Sequence, residues 1–193
     1  MTRAPLTDSA FDAAFWLLDR ALEDNEYLNP RKLHRLLYLA QAYFAVSQSG
    51  RALMPATFVA DPDGPLEPTL FRAFAYSRPR VDVQPIDEAG TQLLDSIWRR
   101  FGAHSTDHLT KTVKRHPPYA DAFRAGPRAV ITVEAMVAFY GRPRRRPEEG
   151  IGILTDSGAP AIDQVLRPRV MRSQSGKPVN VHQWRPRSLK DKG

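Results

Sequence analysis

The 193-residue chain has no cysteine at all. Disulfides, thiolate nucleophiles and cysteine-bound zinc are therefore excluded, and the composition fits a reducing cytoplasm. No run of 18 apolar residues occurs, so no membrane-spanning helix is expected. The first residues, Met1-Thr2-Arg3-Ala4-Pro5-Leu6-Thr7-Asp8, carry charge but no apolar h-region, so no secretory signal is expected either. Three glycine patterns are also missing: Gly-x-x-x-x-Gly-Lys-Ser/Thr, Gly-x-Gly-x-x-Gly and Gly-x-Ser-x-Gly. Their absence removes the phosphate-cradling loop, the dinucleotide fingerprint and the hydrolase nucleophile elbow. The composition is 42% hydrophobic and 25% charged. That is enough apolar surface for one folded domain, or one domain with a tail.

Charge is divided unevenly. Residues 1–140 hold 16 Lys and Arg against 16 Asp and Glu, whereas residues 141–193 hold 12 against 5. The whole excess of +7 lies in the last quarter of the chain, together with six of the 17 prolines and six of the 11 glycines. The change falls at Gly141-Arg142-Pro143-Arg144-Arg145-Arg146-Pro147, where prolines break any helix and like charges keep the chain solvated. Two regions are expected: a balanced domain over 1–140 and a basic extension over 141–193.

Within 1–140 the period is helical. Phe11, Phe15, Leu18 and Leu22 mark an apolar stripe over 8–24, with Thr7, Asp8 or Ser9 as the cap. Asn29-Pro30 opens a second helix reaching about residue 48, with Leu33, Leu36, Leu37, Ala40, Tyr43 and Phe44 on its apolar side. Arg31, Lys32 and Arg35 put positive charge at the wrong end of that helix's dipole, so these side chains should have another partner. Breakers from Met54-Pro55 to Glu67-Pro68 predict turns, with a short strand near Phe58-Val59-Ala60. Further helices are expected over 69–76 (burying Leu70, Phe71 and Phe74), 87–101 (Leu93 or Leu94, Ile97, Trp98 and Phe101), from Ser105 to a stop at Pro117-Pro118, and over 132–140. The expected fold is mainly α, a compact bundle of about six helices with an irregular or β segment between the second and third, plus the basic C-terminal extension. In that extension Ile151-Gly152-Ile153-Leu154, Ile162, Val165-Leu166, Val170-Met171 and Val179-Asn180-Val181 are apolar enough for a strand or helix laid against the domain.

Three pieces stand in order: Leu33-His34-Arg35-Leu36-Leu37-Tyr38-Leu39-Ala40-Gln41; Gly64-Pro65-Leu66-Glu67-Pro68; and Ile97-Trp98 through Phe101-Gly102 and Ser105 to Pro118-Tyr119 and Ala122. This ordered set resembles the Panacea domain, the family of SocA-like antitoxins of toxin–antitoxin systems and their phage-associated relatives. The resemblance spans about residues 8–140. The family has lysine at His34, valine or isoleucine at Leu66 and tryptophan at Tyr119. The resemblance implies a non-enzymatic role: binding a cognate toxin protein and, in the SocA type, delivering it as a proteolytic adaptor to the ClpXP protease. It implies no cofactor. The candidate partner-binding residues are Arg31, His34, Arg35, Tyr38, Gly64, Pro65, Glu67, Trp98 and Tyr119.

Two of these groups have a second reading. Gly64-Pro65-Leu66-Glu67-Pro68 is either a contact loop or the element that folds the third helix back. Trp98, Phe101 and Tyr119 are either core or interface anchors. The histidines offer little chemistry. His104 and His108 are four apart but lack the glutamate of a zinc-protease helix, and Ser105 as a cap would leave His104 outside the helix, so no metal site is expected. His34 sits at the edge of a packed face, and His116 precedes Pro117 at a helix end. The run Arg144-Arg145-Arg146, with Arg167, Arg169, Arg172, Arg185 and Arg187, has three readings: a solvated tail, a dock for an acidic toxin, or a nucleic-acid contact. The alternative function is thus a nucleic-acid-associated regulator working through the C-terminal segment.

Overall fold

The computed structural model describes residues 3–142, 159–166, 170–172 and 178–180. Arg144, Arg145 and Arg146 lie outside the described residues, as do Arg167, Arg169, Arg185 and Arg187. Eight helices and five short strands occur among the described residues. In chain order they are α1 (Ala10–Glu23), α2 (Pro30–Ser47), β1 (Phe58–Asp61), β2 (Gly64–Leu66), α3 (Pro68–Ala73), α4 (Glu88–Phe101), α5 (Thr106–Lys114), α6 (Pro117–Ala125), β3 (Val130–Ile131), α7 (Val133–Tyr140), α8 (Ile162–Leu166), β4 (Val170–Arg172) and β5 (Pro178–Asn180). The fold is mainly helical, with a small three-stranded antiparallel sheet in the order β2-β1-β3.

Helix α2 is the axis. Its start is set by Asn29, whose side chain accepts from the Lys32 amide at 2.9 Å, with Pro30 in the first turn. Past its end, Gly50 takes φ +91° and donates to the Ala45 carbonyl. Every residue from Leu33 to Ala45 is buried, including His34, Arg35 and Gln41. The sequence predicts one apolar side; the fold instead surrounds the helix, with α7, α4, α5, α1, α8 and β2 all packed on it.

Other elements depart from expectation for identifiable reasons. In α1 the buried face carries Ala10, Ala13, Ala14, Phe15, Leu17 and Ala21, while Leu22 is exposed. Most of the deep face is small residues, so it is not the face with the largest side chains. The helix capped by Ser105 ends at Lys114, before Pro117-Pro118 as expected, but the same prolines also begin α6, which raises the helices within 1–142 from six to seven. Proline at a first helical position loses no intrahelical bond, and His116 before it is held extended at ψ 134°. Phe71, expected to be buried, is 48% exposed, while Leu70 and Phe74 go inward.

The expected strand is present as β1. It forms a hairpin with β2 through Pro62-Asp63, in the register Val59↔Leu66, Ala60↔Pro65 and Asp61↔Gly64, and β3 pairs on its other side. In the C-terminal segment, α8 buries Val165 in the main core, and Tyr43 Oη donates to the Pro160 carbonyl at 2.7 Å. The described part of 159–166 is therefore built into the helical body. Strands β4 and β5 form a separate antiparallel pair.

Candidate functional site

The three motif pieces meet around the β1–β2 hairpin. Arg35 reaches out of α2 and donates to the Pro65 carbonyl at 2.7 Å, to the Asp63 carbonyl and to Thr110 Oγ1 at 3.1 Å. The other carbonyls of the turn are taken in sequence. Tyr119 Oη of α6 donates to the Asp61 carbonyl at 2.6 Å, and Lys114 Nζ of α5 to the Pro62 carbonyl at 2.8 Å. Arg31 closes the outside with an ion pair to Asp63 at 3.1 Å. Successive main-chain acceptors thus face cationic or hydroxyl donors from α2, α5 and α6. Gly64 is required at the centre: its φ is +117°, and a Cβ there would stand 2.7 Å from the Arg35 guanidinium carbon.

The basic first turns of α2 therefore have their partners inside the molecule. Lys32 Nζ donates to the Gly102 carbonyl at 2.5 Å and lies 5.8 Å from the centre of the Trp98 ring. Arg35 spends its charge on the hairpin, and its burial lowers its pKa to about 10, against the attraction of Asp63.

His34 joins the second half of the motif. Its Nδ1 accepts from the Glu67 amide at 3.3 Å, and the Glu67 carboxylate accepts from the Leu70 amide at 2.7 Å, capping α3. Accepting at Nδ1 places the neutral ring's proton on Nε2, a buried nitrogen with no hydrogen-bond partner among the described residues. Burial first, and the Arg35 charge second, push the His34 pKa down to about 4. The sign of the consequence is fixed. Between about pH 6.5 and 4 the unfolded chain binds a proton that the folded ring refuses, so stability drops by about 3 kcal/mol as the pH falls through that window. Urea melts at pH 7, 5.5 and 4 check this, because His34→Gln keeps an acceptor for Glu67 and should flatten the dependence. Equal slopes for the two proteins would remove His34 as its source.

Of the nine candidate partner residues, Arg31 alone is exposed. His34, Arg35, Tyr38, Gly64, Pro65, Glu67, Trp98 and Tyr119 are buried and serve the frame behind the surface. Tyr38 packs edge-on to Phe58 and Tyr140, and Trp98 Nε1 donates to Asp24 at the end of α1 at 2.7 Å. Exposed apolar side chains lie outside the nine candidates, and of these only Phe71 belongs to a motif piece, in the helix that follows Gly64-Pro65-Leu66-Glu67-Pro68. Phe71 leans on His34, Phe123 stacks on Tyr119 at 5.6 Å, and Val130 stands opposite Val59 in the sheet, and all three are exposed.

Two further buried polar groups have no place in the functional reading of the sequence. Gln41 accepts from the Leu53 and Met54 amides and donates to the Met54 carbonyl, which fixes the loop after α2. His116 Nδ1 is 2.8 Å from Tyr140 Oη in the core. A polar residue inside an otherwise apolar helix is the available signal for Gln41; nothing local marks His116. Among the described residues no group of three or more histidines and carboxylates is arranged to hold a metal ion, and no helix is long and apolar enough to cross a membrane. Comparison with family models, with curated proteins and with solved structures gives no match to this chain in any of the three.

Proposed function

We propose that the protein is an antitoxin of the Panacea type, which neutralises a cognate toxin protein in the cytoplasm by direct binding and without a catalytic step. One observation carries the reading: the three ordered motif pieces converge on one hydrogen-bonded frame, and three exposed apolar side chains rest on that frame. Phe71, Phe123 and Val130 supply exposed apolar side chains, and the exposed Arg31–Asp63 pair supplies charge, the two kinds of group that recognition sites combine. Stiffness helps as well, since a hairpin tied at successive carbonyls loses little freedom on binding.

The test is co-expression with the product of the adjacent gene. That product should arrest growth alone and be harmless beside the wild-type chain. Phe71→Asp and Phe123→Asp, each on a half-exposed position, should restore toxicity while the chain stays folded, as circular dichroism and a cooperative melt check. A neighbour that is harmless alone, or toxic despite the wild-type chain, ends the antitoxin reading. Delivery to ClpXP is the finer proposal, and an equal toxin half-life with and without this chain would remove it.

A further inference from the structure

Between the last turn of α4, α5 and the 159–160 segment lies a cleft of about 190 Å³ that the proposed binding frame does not use. Its polar lining is Tyr43, Arg100, His104, His108, Thr112 and His116, and no acidic residue is among the described residues that line it. Arg100 is half-buried, and its Nε is buried without a hydrogen-bond partner among the described residues. Its neighbour Arg99, by contrast, pairs with Asp95 at 2.7 Å. The His104 and His108 rings stack at 4.6 Å, 22° from parallel. Cationic and imidazole groups thus converge on one concave space whose described lining offers them no carboxylate.

Such an arrangement is unfavourable by itself and favourable around a negative charge. A guanidinium offers a fork of donors to an oxyanion, and the imidazole N–H groups beside it add further donors. The aromatic faces of Tyr43 and Phe101, which pack at 6.0 Å, give the space an apolar wall and restrict water on that side. The volume suits a phosphate group or a small organic acid and excludes a polymer. We propose that this cleft binds a small oxyanion, the phosphate or carboxylate group of a low-molecular-weight ligand, with Arg100 as ion-pair partner and His104 and His108 as donors. The titratable and charged groups around it are Tyr43 from α2, Arg100 from α4, His104 ahead of α5, His108 from α5 and His116 ahead of α6, with the Lys32 charge acting on His104. Burial, then His108, Arg100 and Lys32, lower the His104 pKa, and a bound anion reverses those charge effects. Binding therefore takes up protons and tightens in mild acid.

Calorimetric titration of the full chain with sulfate, inorganic phosphate and acetate is the experiment. Sulfate keeps one charge state between pH 6 and 8, so its pH dependence belongs to the protein. Saturable binding is expected at one site, about tenfold tighter at pH 6 than at pH 8 and weakened about tenfold by Arg100→Gln. His108→Gln, at an exposed position, should weaken it about fivefold and guards against a folding defect in the first variant. Binding of sulfate and phosphate over acetate assigns a phosphate ligand, and the reverse order a carboxylate. Failure of all three anions to bind, binding indifferent to both variants, or no gain at pH 6 would each overturn the proposal. None of these results bears on toxin neutralisation, so the two readings stand or fall separately.

Discussion

Arg35→Ala is expected to lower the free energy of unfolding by about 4 kcal/mol. The side chain is 2% exposed, and it donates to two main-chain carbonyls and a hydroxyl from one guanidinium. Truncation removes charge-assisted bonds worth about 1.5 kcal/mol or more apiece and strands the Pro65 and Asp63 acceptors beside a new cavity. Arg35→Lys should recover only part of the loss, because an ammonium group cannot span acceptors that a planar fork reaches together. Gly64→Ala is the partner experiment. Alone it should cost about 2 kcal/mol, from a disallowed φ and a contact with the guanidinium. Combined with Arg35→Ala the losses should not add, since the atom that the new methyl would strike has gone. Urea unfolding gives the energies, and amide exchange over 59–66 shows whether the hairpin opens first. A loss below about 1 kcal/mol for Arg35→Ala would mean that the hairpin is held by something else.

Trp98→Ala is the second large effect, again about 4 kcal/mol. The indole is fully buried in α4 against the core, and its Nε1 ties α4 to the Asp24 carboxylate at the end of α1. That carboxylate also receives Arg20 at 2.7 Å, and Arg20 in turn reaches Asp95 of α4 at 3.4 Å. Removing the ring leaves a void on α4 and takes one donor from this cluster. Trp98→Phe fills most of the void but not the bond, so about 1–2 kcal/mol should separate it from the wild type. Thermal and urea unfolding of the three proteins measure both parts. Near-equal stability of Trp98→Phe and Trp98→Ala would assign the role to the bond and not to packing.

Much of the helical plan is legible in residue spacing, and the reasons for the misses are physical. Asn29-Pro30 marks the start of α2 because capping is a local matter, settled within three residues. The unfavourable charges at Arg31, Lys32 and Arg35 also point to partners. Their identity stays hidden, because the Asp63 and Pro65 carbonyls lie 28 and 30 residues along the chain and main-chain acceptors have no sequence signature. Periodicity weighs large apolar residues, so it turns α1 toward Leu22 and misses the buried alanine face. It also assigns Phe71 inward. Pro117-Pro118 carries two meanings, a stop for the helix before it and a start for the next; the fold uses both, and the spacing reveals only the first. The candidate residues are legible as motif carriers, yet their burial is not, because motif spacing does not distinguish a frame from the surface it supports.

The bond from Tyr43 to the Pro160 carbonyl spans 117 residues, and Val165 fills its core position from the same late segment. A nascent chain leaving the ribosome therefore completes α7 before the last wedge of its interior has been made. At translation rates of about 5–20 residues per second, the 26 residues from Tyr140 to Leu166 take roughly one to five seconds. During that interval the seat for Val165 is open to water or to a chaperone, and a message truncated before codon 159 would leave it open for good.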